Sequence, residues 1–249
     1  MGVRAERRQA KLEGYRSDRL GLDVGALVEQ YRKDIGPKAR YASFDYCYSY
    51  FRSLRSDEGA GTIADEDHLK DSCFQLGMYL ASWGMYRGSG PLLPVSVRAL
   101  EGAVRFIAGA PAALWDLDVT GYGQHGDLLL SQARDLRAAL PGGNDGAPRT
   151  TDTLVTKVLL GVFGCVPALD ANFLDSFGPF SLNEEFLAEV VGFYRDRSDV
   201  IDSFQIEVRS FDQWQPTRWT YSRAKLIDMV FFQEGANRAL ARKAKKKVL

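Results

Sequence analysis

Two histidines, His68 and His125, and three scattered cysteines, Cys47, Cys73 and Cys165, are all the soft metal ligands in this 249-residue chain. That scarcity excludes a multi-histidine centre, a CxxC zinc site and a four-cysteine iron–sulfur cluster. It also excludes a disulfide framework, which fits a reducing compartment; the expected location is the cytoplasm. No window approaches the roughly 18 uninterrupted apolar residues of a membrane helix. Residues 1–19 are rich in Arg and Glu and have no apolar core, so they do not read as a secretory signal. A GxxxxGK[ST] phosphate loop is missing, and so is the PD…ExK carboxylate cluster of metal-dependent nucleases. Any chemistry here falls to carboxylates, lysines and hydroxyls, with no metal and no cofactor expected.

What is present is helical. At 45% hydrophobic and 26% charged, the chain has the composition of a globular protein, with enough length for one large domain. Val24, Leu27, Val28 and Tyr31 share one face of a predicted helix over 24–33. Tyr41, Phe44, Tyr48 and Phe51 do the same over 41–54, and Leu69, Cys73, Leu76 and Leu80 over 65–83, where Asp65 is the expected N-cap. Further helices are predicted at about 93–108, 126–139, 151–163, 182–195, 198–211 and 220–242. Gly88–Pro91, Pro141–Gly146, Gly178-Pro179 and Gln215-Pro216 punctuate them. Phe204–Phe211 also reads as a strand, but an isolated strand makes no sheet. The expected fold class is all-α: a compact multi-helix protein, residues 1–249 as one helical domain, or two helical lobes around a central cleft divided near 141–150.

The most informative stretch is Thr151–Phe177, TDTLVTKVLLGVFGCVPALDANFLDSF. Thr151 or Asp152 caps a helix whose apolar face uses Leu154, Val155, Val158, Leu159 and Val162, and Gly164 is placed as its left-handed C-cap. A tight apolar crossover, Cys165–Leu169, then delivers Asp170 to the start of a new helix. This order of helix, Phe163-Gly164, apolar Val166-Pro167 and Leu169-Asp170 followed by Asn172 resembles the catalytic stretch of helix–hairpin–helix DNA glycosylases. The resemblance covers about thirty residues. It implies that Asp170 is the catalytic carboxylate, that Asn172 contacts substrate, and that double-stranded DNA is the partner. Where bifunctional members of that family carry their lysine, this chain has Thr153, with Lys157 one turn later. Lys157 is therefore a secondary catalytic candidate, expected to emerge beside the hairpin surface, and the product is expected to be an abasic site.

The chemistry suits the composition. Cleaving a base from its sugar passes through an oxocarbenium-like state that a fixed carboxylate stabilises without a metal. The target base must leave the stack, so aromatic side chains are needed to receive it. Candidates are Asp45 and Tyr46 within an aromatic run, Trp83, Tyr86 and Arg87 at a helix end, and His125, which follows Gly121-Tyr122-Gly123-Gln124 in an expected glycine-rich loop. Backbone phosphates would be met by Thr151, Thr153, Arg218, Arg223, Lys225 and Lys243. The chain is neutral, with 32 basic and 32 acidic residues, yet Arg238, Arg242, Lys243, Lys245, Lys246 and Lys247 follow one another without an acid. That end is either a frayed, solvated tail or a phosphate-binding surface. The leading reading is a monomeric, monofunctional glycosylase acting on a modified or damaged base, with modified viral DNA a fitting target. The alternative is a non-catalytic helical protein that binds nucleic acid or regulates a partner.

Overall fold

The computed structural model of the chain describes residues 3–88, 90–142 and 149–248. Among these residues the architecture is all-α, with a single two-stranded hairpin. The α-helices, in chain order, are α1 (Val3–Leu20), α2 (Val24–Lys33), α3 (Ala42–Glu58), α4 (Leu69–Ser82), α5 (Glu101–Gly109), α6 (Ala112–Trp115), α7 (Tyr122–Ala139), α8 (Asp152–Val158), α9 (Ala171–Phe177), α10 (Glu184–Ser203) and α11 (Arg223–Val248). Strands β1 (Glu207–Arg209) and β2 (Pro216–Thr220) form an antiparallel hairpin between α10 and α11.

Periodicity placed most of these elements. Helix α2 buries Val24, Leu27, Val28 and Tyr31 as predicted, and α3 buries Phe44, Tyr48 and Phe51. Helix α4 starts later than expected: Asp65 accepts the His68 N–H at 2.9 Å and so caps a preceding turn. The two helices predicted at 182–195 and 198–211 are one, α10, kinked at Arg197. Its end was overrun. Beyond Ser203 the chain buries Ile206 and Val208 in alternation, and Glu207–Arg209 pairs with β2, so only these three residues of 204–211 form a strand.

Helix α1 was not anticipated, because it is too polar for an apolar period to show. Its anchors are mostly charged. Arg8 bonds Glu185 at 2.5 Å, Arg16 and Arg19 both pair with Glu189, and Arg19 also lies 4.2 Å over the Phe177 ring. The expected lobe boundary at 141–150 falls largely on residues 143–148, outside the described residues. On either side of it, Leu129 and Leu136 of α7 and Leu154 and Val158 of α8 join one contiguous core that runs from Leu12 to Phe232.

Helix α11 is the axis of that core. Ala224, Leu226, Ile227, Met229, Val230, Phe231 and Phe232 are all buried, which is why its apolar pattern shows no single face. Helices α9 and α11 cross so closely that a Cβ on Gly235 would stand 2.0 Å from the Asn172 carbonyl oxygen. Only glycine permits that approach, and the approach holds the segment around Asp170 against α11.

Candidate active site

Asp170 is positioned by two fixed ends of chain. Thr151 caps α8 by accepting the Leu154 N–H at 3.3 Å. The helix passes into a π-turn, Leu159–Phe163, and stops at Gly164 in the left-handed conformation (φ 65°), as its sequence predicts. The crossover that follows is tied on every side. Arg52 donates to the Phe163 carbonyl at 2.7 Å, Ser222 to that of Gly164 at 2.5 Å, and Tyr122 to that of Cys165 at 2.7 Å. Asp228 accepts the Ala168 N–H at 3.0 Å, and Thr156 accepts that of Leu169 at 2.9 Å. Buried backbone without regular structure is stable only when satisfied in this way.

Asp170 then N-caps α9, with Oδ1 accepting the Phe173 N–H at 3.0 Å. Its other oxygen, Oδ2, accepts from Lys157 Nζ at 2.7 Å, and the side chains are 14% and 2% exposed. The expectation that Lys157 emerges at the surface is thus corrected: the side chain turns inward, 4.4 Å over the Trp83 ring, because Asp170 and that ring offset the cost of its burial. A second interior pair stands nearby. Lys225 Nζ lies 3.1 Å from Asp228 Oδ2 and 3.1 Å from the Tyr31 hydroxyl. Against the lysines lies a layered stack, with Lys157 over Trp83 and Lys225 over Tyr31. Tyr41 lies parallel to Tyr31 (centroids 4.6 Å apart, 8°) and to Trp83 (5.6 Å, 4°), and Arg40 sits 5.1 Å over the Tyr41 ring.

Not every predicted residue joins this centre. Trp83 does, and its indole N–H has no partner. Tyr86 is half-buried with an unpartnered hydroxyl, while Arg87 is exposed and folds over Gly84. Tyr46 donates to the Pro37 carbonyl at 2.8 Å and packs against Phe211 and Trp214. Asn172 is half-buried beside Gly235. His125 is not in a loop: it lies exposed in the first turn of α7, since the glycines around it are tolerated within the helix.

The proposed phosphate contacts need similar sorting. Thr151 is exposed, whereas Thr153 donates to the Leu169 carbonyl at 2.7 Å and acts inside the crossover. Arg218 pairs with Asp57, and Arg223 bonds Asp202 at 2.8 Å. Lys225 is 1% exposed and committed to Asp228, so a backbone-phosphate role for it is ruled out in this conformation. The C-terminal basic run is not a frayed tail, because α11 continues through it. Arg238 bonds Glu234 at 2.7 Å and Arg242 bonds Asp175 at 3.0 Å, while Lys243, Lys245 and Lys246 are exposed.

Asp45 is the outlier. It is wholly buried, yet neither carboxylate oxygen accepts a hydrogen bond of good geometry, although the Tyr221 hydroxyl and the Arg209 backbone amide stand nearest. Burial pushes its pKa up to about 7 against the opposing pull of Tyr221, Lys225 and Arg209.

Tyr31, Arg40 and Asp228 were missed as residues of this centre. The available signal was Lys225 and Asp228 three apart in the otherwise apolar run AKLIDMVFF, a spacing that lets two buried charges meet. Among the described residues there is no group of three or more His, Cys, Asp or Glu side chains able to hold a metal, and no helix long and apolar enough to cross a membrane. No family model, curated protein or solved structure matches the chain.

Proposed function

We propose that this protein is a monofunctional DNA glycosylase in which Asp170 stabilises the oxocarbenium-like sugar as a base departs. The supporting observation is the Lys157–Asp170 pair, 2.7 Å apart in the interior beside the Tyr31–Tyr41–Trp83 stack. Both carboxylate oxygens already hold a donor, so the negative charge is fixed in direction and need not reorganise as positive charge grows at C1′. As the ammonium partner of that pair, Lys157 has no lone pair with which to attack the sugar. Water is then the nucleophile and an abasic site the product.

A flipped base needs ring faces to stack on. Tyr31 and Trp83 flank a slot that Tyr41 fills with its own ring. Tyr41 precedes α3 at the end of a turn-rich connection over 34–41, and it is less buried than the rings on either side. Among the described residues, five surface cavities of about 200–470 Å³ are not lined by Asp170. On this reading Tyr41 swings out and the base takes its place between Tyr31 and Trp83. That closure is also the observation favouring the second reading, a non-catalytic helical protein whose interior pairs are purely structural.

Product chemistry separates a hydrolase from a lyase. DNA that the protein acts on should carry alkali-labile abasic sites and no strand breaks before alkali is added. A borohydride-trapped adduct that disappears in Lys157→Ala would show an amine mechanism instead.

Binding should also depend on salt through the last turns of α11. Deleting residues 241–249 removes Arg242, Lys243, Lys245, Lys246 and Lys247, of which Arg242 is already held by Asp175. With roughly 0.9 log unit of slope per phosphate contact, the log–log salt dependence for duplex DNA should flatten by about 2 units. Base preference should not change, since phosphate contacts position without specifying. A salt titration of full-length and shortened protein on random duplex reads this directly, and an unchanged slope would move the DNA surface elsewhere.

A further inference from the structure

A cleft of about 350 Å³ opens where the 34–41 connection, the start of α3, the last turns of α4 and the β1–β2 turn come together. We propose that it holds a short segment of single-stranded DNA. Strand binding is read from the cleft itself. The choice of DNA over RNA rests on the glycosylase reading, because Arg40 joins the cleft to the aromatic stack beside Lys157 and Asp170.

The charge in the cleft has one sign. Lys38 and Arg40 line it, both exposed, and neither has an ion-pair partner among the described residues. The acids nearest in sequence, Asp45 and Asp212, do not line it. An anion entering here meets two uncompensated cations. Arg40 is held by ring faces, 5.1 Å over Tyr41 and 5.2 Å over Trp83, which fix its guanidinium without using its N–H donors. Those donors are left for a phosphate.

The same cleft carries bare apolar surface. Phe211 is 74% exposed and Met78 64%. One such residue on a surface is ordinary, but these two stand on a single cleft. Tyr46, tied through its hydroxyl to the Pro37 carbonyl, packs edge-to-face on Phe211 at 5.0 Å and so braces that ring. A nucleotide joins one negative charge to one flat ring, and sites for single strands combine a basic track with aromatic platforms. Gln75 adds an amide donor and acceptor that bond nothing else, a match for a base edge. Other occupants fit less well. An extended peptide needs an open strand edge, and the hairpin gives the cleft only its turn residue Phe211. A docked amphipathic helix needs a continuous apolar stripe, which Lys38, Arg40 and Gln75 interrupt.

The test is fluorescence anisotropy of a labelled oligothymidylate, about eight nucleotides long, titrated with the full chain across a salt series. The wild-type chain should bind it, and oligouridylate should bind no more tightly. Phe211→Ala should weaken binding at least about five-fold, through the loss of one stacking surface. Lys38→Gln should weaken it too and flatten the log–log salt slope by about 0.7, the value for one phosphate contact on a single strand. Both side chains are exposed, and melting curves matched to wild type establish that the variants are folded. Neither variant should change the affinity for duplex DNA, which meets the last turns of α11 instead. No binding of the strand, wild-type affinity in both variants, or a loss of the same size on duplex overturns the proposal. Tighter binding of oligouridylate overturns the choice of DNA, and equally tight binding of oligoglutamate overturns nucleic acid as the occupant. None of these readouts requires base release, so failure here leaves the Asp170 reading standing, and a failed glycosylase assay leaves strand binding by the cleft to be judged by its own titration.

Discussion

Asp170→Asn is expected to abolish base release and, at the same time, to cost the fold about 3–5 kcal/mol. The first effect follows from the proposed role of this carboxylate beside the reacting sugar. The second follows from where that carboxylate points. Asparagine can still cap α9, but it leaves the Lys157 ammonium, 2% exposed, without an anionic partner. On sequence alone the substitution looks harmless to folding; the interior position of Lys157 reverses that expectation. The melting temperature should fall by roughly 10 °C. Lys157→Met combined with Asp170→Asn should recover most of that loss, because a thioether beside Trp83 replaces the stranded charge. Activity should stay absent. Thermal melts of the single and paired variants measure the coupling, and a paired variant no more stable than Asp170→Asn alone would show that the two residues are not energetically linked.

Asp45→Asn should have the opposite effect on stability, an effect that grows as pH rises from about 4 to about 7. The Asp45 carboxyl titrates at about 7 in the folded chain and near its ordinary value of 3.8 when unfolded. Below about pH 4 it is neutral in both states and costs nothing. Between 4 and 7 the unfolded chain gives up its proton while the folded chain keeps it, so stability falls as pH rises. Above 7 the folded protein carries a buried charge and the full penalty is reached, at most about 4 kcal/mol for a shift of this size. Asparagine does not titrate. The variant should therefore be more stable than the parent at pH 8 by up to about 4 kcal/mol, and much closer to it at pH 4. Urea midpoints across that range provide the measurement, and a stability difference that does not change with pH would contradict the assignment.

Much of the architecture was legible because apolar spacing is a local signal. The caps at Thr151, Gly164 and Asp170 could be read from residue type alone, since each conformation suits few side chains. Helix α1 was not legible, because ion pairs to α10 rather than an apolar stripe hold it. The hairpin was half legible: β1 alternates, but its partner lies beyond a turn and only pairing makes the strand. The site was legible at Asp170 and illegible around it. No spacing rule tells that Lys157 and Lys225 turn inward, as this depends on Trp83 and Tyr31 arriving from α4 and α2. The same holds for Tyr41, whose place between two rings from other helices is set by tertiary packing alone.

Release of free base is the most direct test of the central claim. DNA containing a spread of modified and damaged bases is incubated with the wild-type chain and with the Lys157→Met, Asp170→Asn pair, and the low-molecular-weight fraction is analysed by mass spectrometry. Wild type should liberate at least one free base and leave an equal number of abasic sites. The paired variant, matched to it in fold by its melting curve, should liberate none. Release of the same base at the same rate by both proteins, or release by neither, would contradict a catalytic Asp170.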